Sequence, residues 1–128
     1  MKYGVVFENY TERHYIKSFS KKYKRAWDIT REIIQQEFEQ IDLLFLKNVA
    51  ETVVDSNLIK ICKTEFKIAG TQESRHGSGN RCIVALHKDT NQVHILLVYS
   101  KTDLSGRNET AEWKQIIKEN YPVYREML

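Results

Sequence analysis

Two apolar runs separated by a polar turn constrain this chain most: "RCIVALHKD", which starts at Arg81, and "QVHILLVYSK", which ends at Lys101. β-Branched and aliphatic residues dominate both, and the linking "KDTNQ" has the composition of a hairpin turn. The two runs are read as neighbouring strands. A sheet must bury its apolar side against another layer, so the rest of the chain has to supply helices.

The flanking segments fit that demand. "YGVVF", residues 3–7, is a short run of aromatic and β-branched residues and reads as a strand. After Asn9 and Glu12, which resemble a capping pair, Tyr15, Ile16, Phe19 and Tyr23 recur at helical spacing and predict a helix over about residues 10–24. Asp28 can cap a second helix to about residue 46, with Ile29, Ile33, Ile34, Phe38, Ile41, Leu44 and Phe45 as a wide apolar stripe. A polar stretch follows. In "LIKICKTEFKIAG", Ile59, Ile61 and Phe66 alternate with lysines as in a strand, and Asn108 can cap a third helix carrying Trp113, Ile116, Ile117 and Tyr121, stopped by Pro122. The order β, two helices, three strands, helix predicts a single α+β domain over residues 1–128. Its small antiparallel or mixed sheet of about four strands carries the two N-terminal helices on one face and leaves the other face available, with a C-terminal helix to follow.

Charge distribution adds a functional constraint. The net charge is only +3, yet Arg13, Lys17, Lys21, Lys22, Lys24 and Arg25 follow one another without an intervening acid. Beside Tyr15, Tyr23 and Trp27, this run is either a phosphate-contacting surface or an ordinary solvated helix face. Glu32, Glu37, Glu39, Asp42, Glu51 and Asp55, set against Lys47 alone, read as a solvated acidic face. Cys62 and Cys82 lie in apolar runs without CxxC spacing and are read as buried free thiols of a reducing compartment. No apolar segment approaches the roughly 20 residues of a membrane span, and "MKYGVVFENY" lacks a signal-peptide core, so a soluble cytoplasmic protein is expected.

The stretch "FKIAGTQESRHGSGNRC", residues 66–82, carries more polar residues than a hairpin needs. Strand parity sets Lys67 opposite to Phe66 and Ile68, and groups Arg81 with Ile83 and Ala85, away from Cys82, Val84 and Leu86. The same parity groups Ile95, Leu97, Tyr99 and Lys101, so Tyr99 and Lys101 emerge together at the strand end. Lys67, Arg75, His76, Arg81, Tyr99 and Lys101 thus form a candidate basic site with no carboxylate cluster, suited to a phosphate rather than to a metal. RNA cleaves itself when its 2′-hydroxyl is deprotonated and the phosphorane is stabilised, which needs neither metal nor cofactor. His76 is either the general acid for the leaving 5′-oxygen or a loop residue. Arg81 as an ion-paired sheet residue, Tyr99 as a half-buried core aromatic and Lys67 as a surface lysine are the structural alternatives. His14, His87 and His94 read as structural or surface residues, and "GSGN" lacks the spacing of a dinucleotide or P-loop fingerprint.

The succession "FKIAGTQESRHGSGNRCIVAL", "VHILLVYSKTDL", "ETAEWKQIIKE" resembles the RelE/HigB superfamily of bacterial type II toxins, closely over the C-terminal half and in element order over the rest. The resemblance implies a RelE-like fold and a metal-independent, ribosome-dependent mRNA endoribonuclease, held inactive by a cognate antitoxin. It implies catalytic roles for Lys67, Arg81, His76 and Tyr99, with Arg81 on the scissile phosphate. RNA contacts would come from Arg75, Lys101, Lys21, Lys22, Lys24 and Arg25. Two departures stand out. Glu73 puts an acid in a loop that is basic in the family, and the C-terminal His-Tyr or Arg-Tyr pair of some relatives is matched only by Tyr124 and Arg125. A ParE-like inhibitor of DNA gyrase and a non-catalytic RNA- or antitoxin-binding protein of the same fold stay open, as do codon preference and the choice between homodimer and toxin–antitoxin hetero-oligomer.

Overall fold

A computed structural model of the protein describes residues 2–128. Strands β1 (Gly4–Phe7), β2 (Ala50–Asp55), β3 (Ile59–Phe66), β4 (Asn80–His87) and β5 (Gln92–Ser100) form one sheet in the order β1-β5-β4-β3-β2. β1 runs parallel to β5, and every other neighbouring pair is antiparallel. The two apolar runs are the central hairpin, and its turn closes through Asn91 at φ 54. Every residue of β4 from Asn80 to Leu86 is buried, as befits a strand covered on both faces.

The first predicted helix is a continuous helical segment: α1 (Asn9–Thr11), a π-helical turn (Glu12–Ile16) and α2 (Lys17–Tyr23). Thr11, fully buried, accepts a hydrogen bond from the Val98 amide at 2.8 Å, which satisfies β5 where β1 no longer accompanies it. The second predicted helix is two, α3 (Arg25–Glu39) and α4 (Ile41–Leu46), broken at Gln40. Asp28 does not cap α3. Lys24, at φ 52, turns the chain, and Asp28 lies in the first turn, where its charge suits the helix dipole. Ile34, Phe38, Ile41 and Leu44 of the predicted stripe are buried, whereas Ile29 and Ile33 remain nearly half exposed.

β2 is the strand the sequence reading leaves as a polar stretch. A register shift between Thr52 and Val54 against β3 places Val53 and Val54 both half inside, which erases the period-two signal. The count is therefore five strands rather than about four.

The second correction concerns the free face. Ile16, Phe19, Trp27, Ile34, Phe38, Ile41 and Leu44 of the N-terminal helices pack on one side of the sheet with Cys62, Phe66, Cys82, Val84 and Val98. The opposite side is not available. Helix α5 (Glu109–Asn120), capped by Asn108, and the 3₁₀ segment Pro122–Met127 lay Trp113, Ile117 and Tyr124 over Ile61, Ile83, Ala85, Leu97 and Tyr99. Both cysteines are buried and free.

A bulge also corrects the face assignment on β5. The pairing shifts between Ile83 and Val84, so Ile95 packs with Val93 and Val98 under the N-terminal helices, while Leu96, Leu97 and Tyr99 face α5. Lys101 has left the strand for a 3₁₀ turn, Lys101–Asp103. It is exposed, whereas Tyr99 is 1% exposed.

Candidate active site

One rung of the sheet organises the site. Glu65 on β3 pairs with Arg81 on β4, which pairs with Tyr99 on β5. Strand alternation turns all three side chains to the α5 face, at the end where the sheet meets the residue 67–79 loop. Arg81 Nη1 lies 3.1 Å from Glu65 Oε2, and the guanidinium is only 6% exposed. On its other side, Arg81 Nε lies 3.5 Å from Oε2 of Glu109, the first residue of α5. Tyr99 donates a hydrogen bond from its hydroxyl to the same Glu109 oxygen at 2.7 Å, and Lys63 Nζ, two rungs along β3 and on the same face, is 3.6 Å from it. Burial, then the Glu109 bond, drives the Tyr99 hydroxyl far above its ordinary pKa, so it stays protonated and acts as a donor.

The loop is held rather than loose. Ile68 is buried in the core, and the Ala69 amide donates to Thr30 Oγ1 on α3 at 2.8 Å. Ser78 Oγ sits 2.5 Å from the Phe66 carbonyl and 2.8 Å from that of Arg75, and accepts from the Asn80 amide. Gly79, at φ +75, accepts a hydrogen bond at its carbonyl from the Lys101 amide while the Lys101 stem packs over it; a Cβ there would lie 3.4 Å from Lys101 Cγ. These ties bring His76 to the rung. Its Nδ1 is 2.8 Å from Glu65 Oε2, and its ring is 85% exposed. Arg75 instead pairs with Glu37 of α3 at 2.7 Å, fastening the loop to the helical layer.

Of the residues singled out from sequence, Arg81, His76 and Tyr99 gather around Glu65 and Glu109. Lys67 lies just past β3, exposed, and its side chain makes no hydrogen bond or ion pair with the described residues. Lys101 covers Gly79 rather than joining Tyr99. Lys21, Lys22, Lys24 and Arg25 are exposed around the α2–α3 junction, in the layer on the other side of the sheet from Arg81. A groove of about 380 Å³ is lined by Lys63, Glu65, Arg75, His76 and Arg81, with Asn48, Val49 and Glu51 at its β2 side. Glu73 turns away from it. It lines a different groove, with Lys22, Ser78 and Asn80.

Sequence reasoning missed Lys63, Glu65 and Glu109. The signal for the first two is present, since Lys63 and Glu65 on β3 share parity with Lys67 just beyond it. Glu109 had no such signal, because its approach depends on where α5 docks. Chemically, Glu65 is a carboxylate poised between an arginine and an exposed imidazole, and Glu109 gathers one hydroxyl donor and two cations around one oxygen.

Comparison with other proteins speaks to the fold. No family model and no curated protein matches the sequence. Among solved structures, the chain is similar to the crystal structure of the archaeal RelE–RelB complex from Pyrococcus horikoshii OT3, at 14% identity and a TM-score of 0.51, covering 84% of this chain and 100% of that one. The protein has a RelE-like fold. Within that RelE-like fold, the Glu65–Arg81–Tyr99 rung and its flanking loop are the charged centre described above. No helix among the described residues is long and apolar enough to cross a membrane.

Proposed function

We propose that this protein is the toxin of a type II toxin–antitoxin pair, a metal-independent endoribonuclease that cuts mRNA on the ribosome and is neutralised by a cognate antitoxin. The observation that carries the reading is that Arg81 and His76 meet on one oxygen of Glu65, at 3.1 and 2.8 Å. A base, a phosphate-binding cation and an acid around one point are what transesterification of RNA requires. The RelE-like fold supports it.

In this mechanism Glu65 takes the proton of the 2′-hydroxyl as the 2′-oxygen bonds to phosphorus. Arg81, with Lys63 beside it, stabilises the charge that grows on the non-bridging oxygens. His76 in its protonated form then gives a proton to the 5′-oxygen as the phosphorus–O5′ bond breaks. The products are a 2′,3′-cyclic phosphate and a 5′-hydroxyl. His76 is exposed enough to swing away from Glu65 and admit the phosphate between them. Tyr99 takes no proton from substrate and acts as a fixed donor, while Lys67, Arg75, Lys101 and the Lys21, Lys22, Lys24 and Arg25 group contact the RNA backbone.

A second reading has its own observation: Arg75, Arg81 and Lys63 each face a carboxylate, which lowers the positive potential of the site. That suits a ParE-like gyrase inhibitor, which needs no nuclease residues. Induced expression separates the two. Growth arrest with mRNA cut at translated codons and cyclic-phosphate ends, relieved by Arg81→Ala or Glu65→Gln, supports the nuclease. Arrest with intact mRNA and accumulating double-strand DNA breaks rejects it in favour of gyrase.

A further inference from the structure

One hydroxyl donor and two cations converge on a single oxygen of this protein. Tyr99 Oη lies 2.7 Å from Glu109 Oε2, Arg81 Nε 3.5 Å and Lys63 Nζ 3.6 Å, each from a different strand. Donors fixed around one anionic oxygen in a shielded position make an oxyanion site. Two further features set Glu109 apart from an ordinary ion-pair partner. Arg81 Nε is buried and makes no aligned hydrogen bond among the described residues, so Glu109 neutralises the guanidinium without satisfying it. The Glu109 side chain is 25% exposed against 6% for Arg81, so it stands between the guanidinium and solvent.

We propose that Glu109 is an internal stand-in for a substrate phosphate: it occupies the oxyanion site of Tyr99, Arg81 and Lys63, and RNA reaches Arg81 by displacing it. The inference rests on the phosphate-handling reading of the Arg81 site and adds a regulatory step to it. With Glu109 in place, Lys63 and Arg81 face Glu65 and Glu109, and the cluster is neutral. With Glu109 withdrawn, one positive charge is uncompensated where the phosphate would sit. Only a side-chain rotation is needed, because Trp113 and Ile117 anchor the body of α5 in the core. Tyr99 keeps its proton throughout, so the site offers the incoming anion the same donor it offers Glu109.

The test compares wild type with Glu109→Gln, which keeps the shape and an acceptor for Tyr99 but removes the charge. Binding of inorganic phosphate and of a 2′-O-methyl oligonucleotide, which cannot be cleaved, is measured on folded protein at fixed salt. Glu109→Gln should bind both about tenfold tighter. Adding Arg81→Ala or Tyr99→Phe should erase most of that gain. Glu119→Gln, on the same helix and exposed, controls for net charge and should change binding less than about twofold. Unchanged or weaker binding by Glu109→Gln, or an equal gain in Glu119→Gln, overturns the proposal. A tenfold gain without cleavage of all-ribose mRNA on ribosomes by either protein leaves the stand-in intact and removes the nuclease.

Discussion

Glu65 and Arg81 face each other directly across β3 and β4, with Glu65 Oε2 3.1 Å from Arg81 Nη1 and the guanidinium shut away from solvent. A buried cation of this kind is held by its carboxylates, and removing one member leaves the other uncompensated. Arg81→Ala should therefore destabilise the fold by about 3–5 kcal/mol in denaturant unfolding. On the proposed nuclease reading, RNA cleavage by the same variant should fall by about 100-fold or more. Arg81→Lys should restore stability better than activity, because an ammonium cannot reproduce the planar fork between Glu65 and Glu109. Equal recovery of both would show that the arginine serves only as a charge.

The pairing of His76 with Glu65 leads to a kinetic expectation on the proposed nuclease reading. A positioned base or acid contributes about 100- to 10,000-fold, so Glu65→Gln and His76→Ala should each lower kcat/KM for RNA cleavage by about that factor. A His76→Ala protein that cuts at the wild-type rate would remove the loop histidine from the proposed chemistry.

At Gly79 the backbone has φ +75, and the Lys101 stem stands at ordinary contact distance from where a Cβ would be, 3.4 Å at its nearest. Gly79→Ala should lower stability by about 1 kcal/mol, seen as a fall in Tm, because the backbone conformation resists a side chain. Gly106→Ala, at φ +83 in open space, should cost a similar amount for the same reason. A much larger loss at Gly79 would mean that the Lys101 stem cannot yield to a methyl group.

His87 offers a pH dependence away from the candidate site. Its Nε2 is 2.8 Å from the Tyr124 hydroxyl and its ring centroid 4.5 Å from that of His94, which in turn meets Glu8. Burial first, then the neighbouring His94, lowers the His87 pKa below its ordinary value. The unfolded chain then takes up a proton on His87 before the folded protein does, so this contribution to stability is full above the unfolded value of about 6.5 and is lost as pH falls through it. Unfolding midpoints should drop from pH 7 to pH 5, and His87→Gln should flatten that slope. An unchanged slope in the variant would assign the effect to other groups.

Both thiols should be inert in the native state. Burial pushes Cys62 up to about 12 and Cys82 further still, which leaves essentially no thiolate at neutral pH. A thiol reagent should label neither residue until denaturant is added. Rapid stoichiometric labelling of the folded protein would contradict this packing.

Local composition and periodicity determined much of this protein by themselves. The central hairpin, the capped and proline-stopped α5, the apolar faces of α2 and α3, and the placing of Arg81 on the side of Ile83 and Ala85 all follow from spacing along the chain. The β5 bulge and the irregular β2 were not legible, because one inserted residue cancels a period-two pattern without changing composition. Only the tertiary structure decided that α5 covers the second face of the sheet, and with it that Glu109 arrives beside Arg81, Tyr99 and Lys63. Residues 28 positions apart along the chain meet there because a docking helix, not a local preference, sets the distance between Arg81 and Glu109. The sequence marked out Arg81, and strand parity carried Lys63 and Glu65 as well; the second carboxylate, Glu109, belongs to the fold.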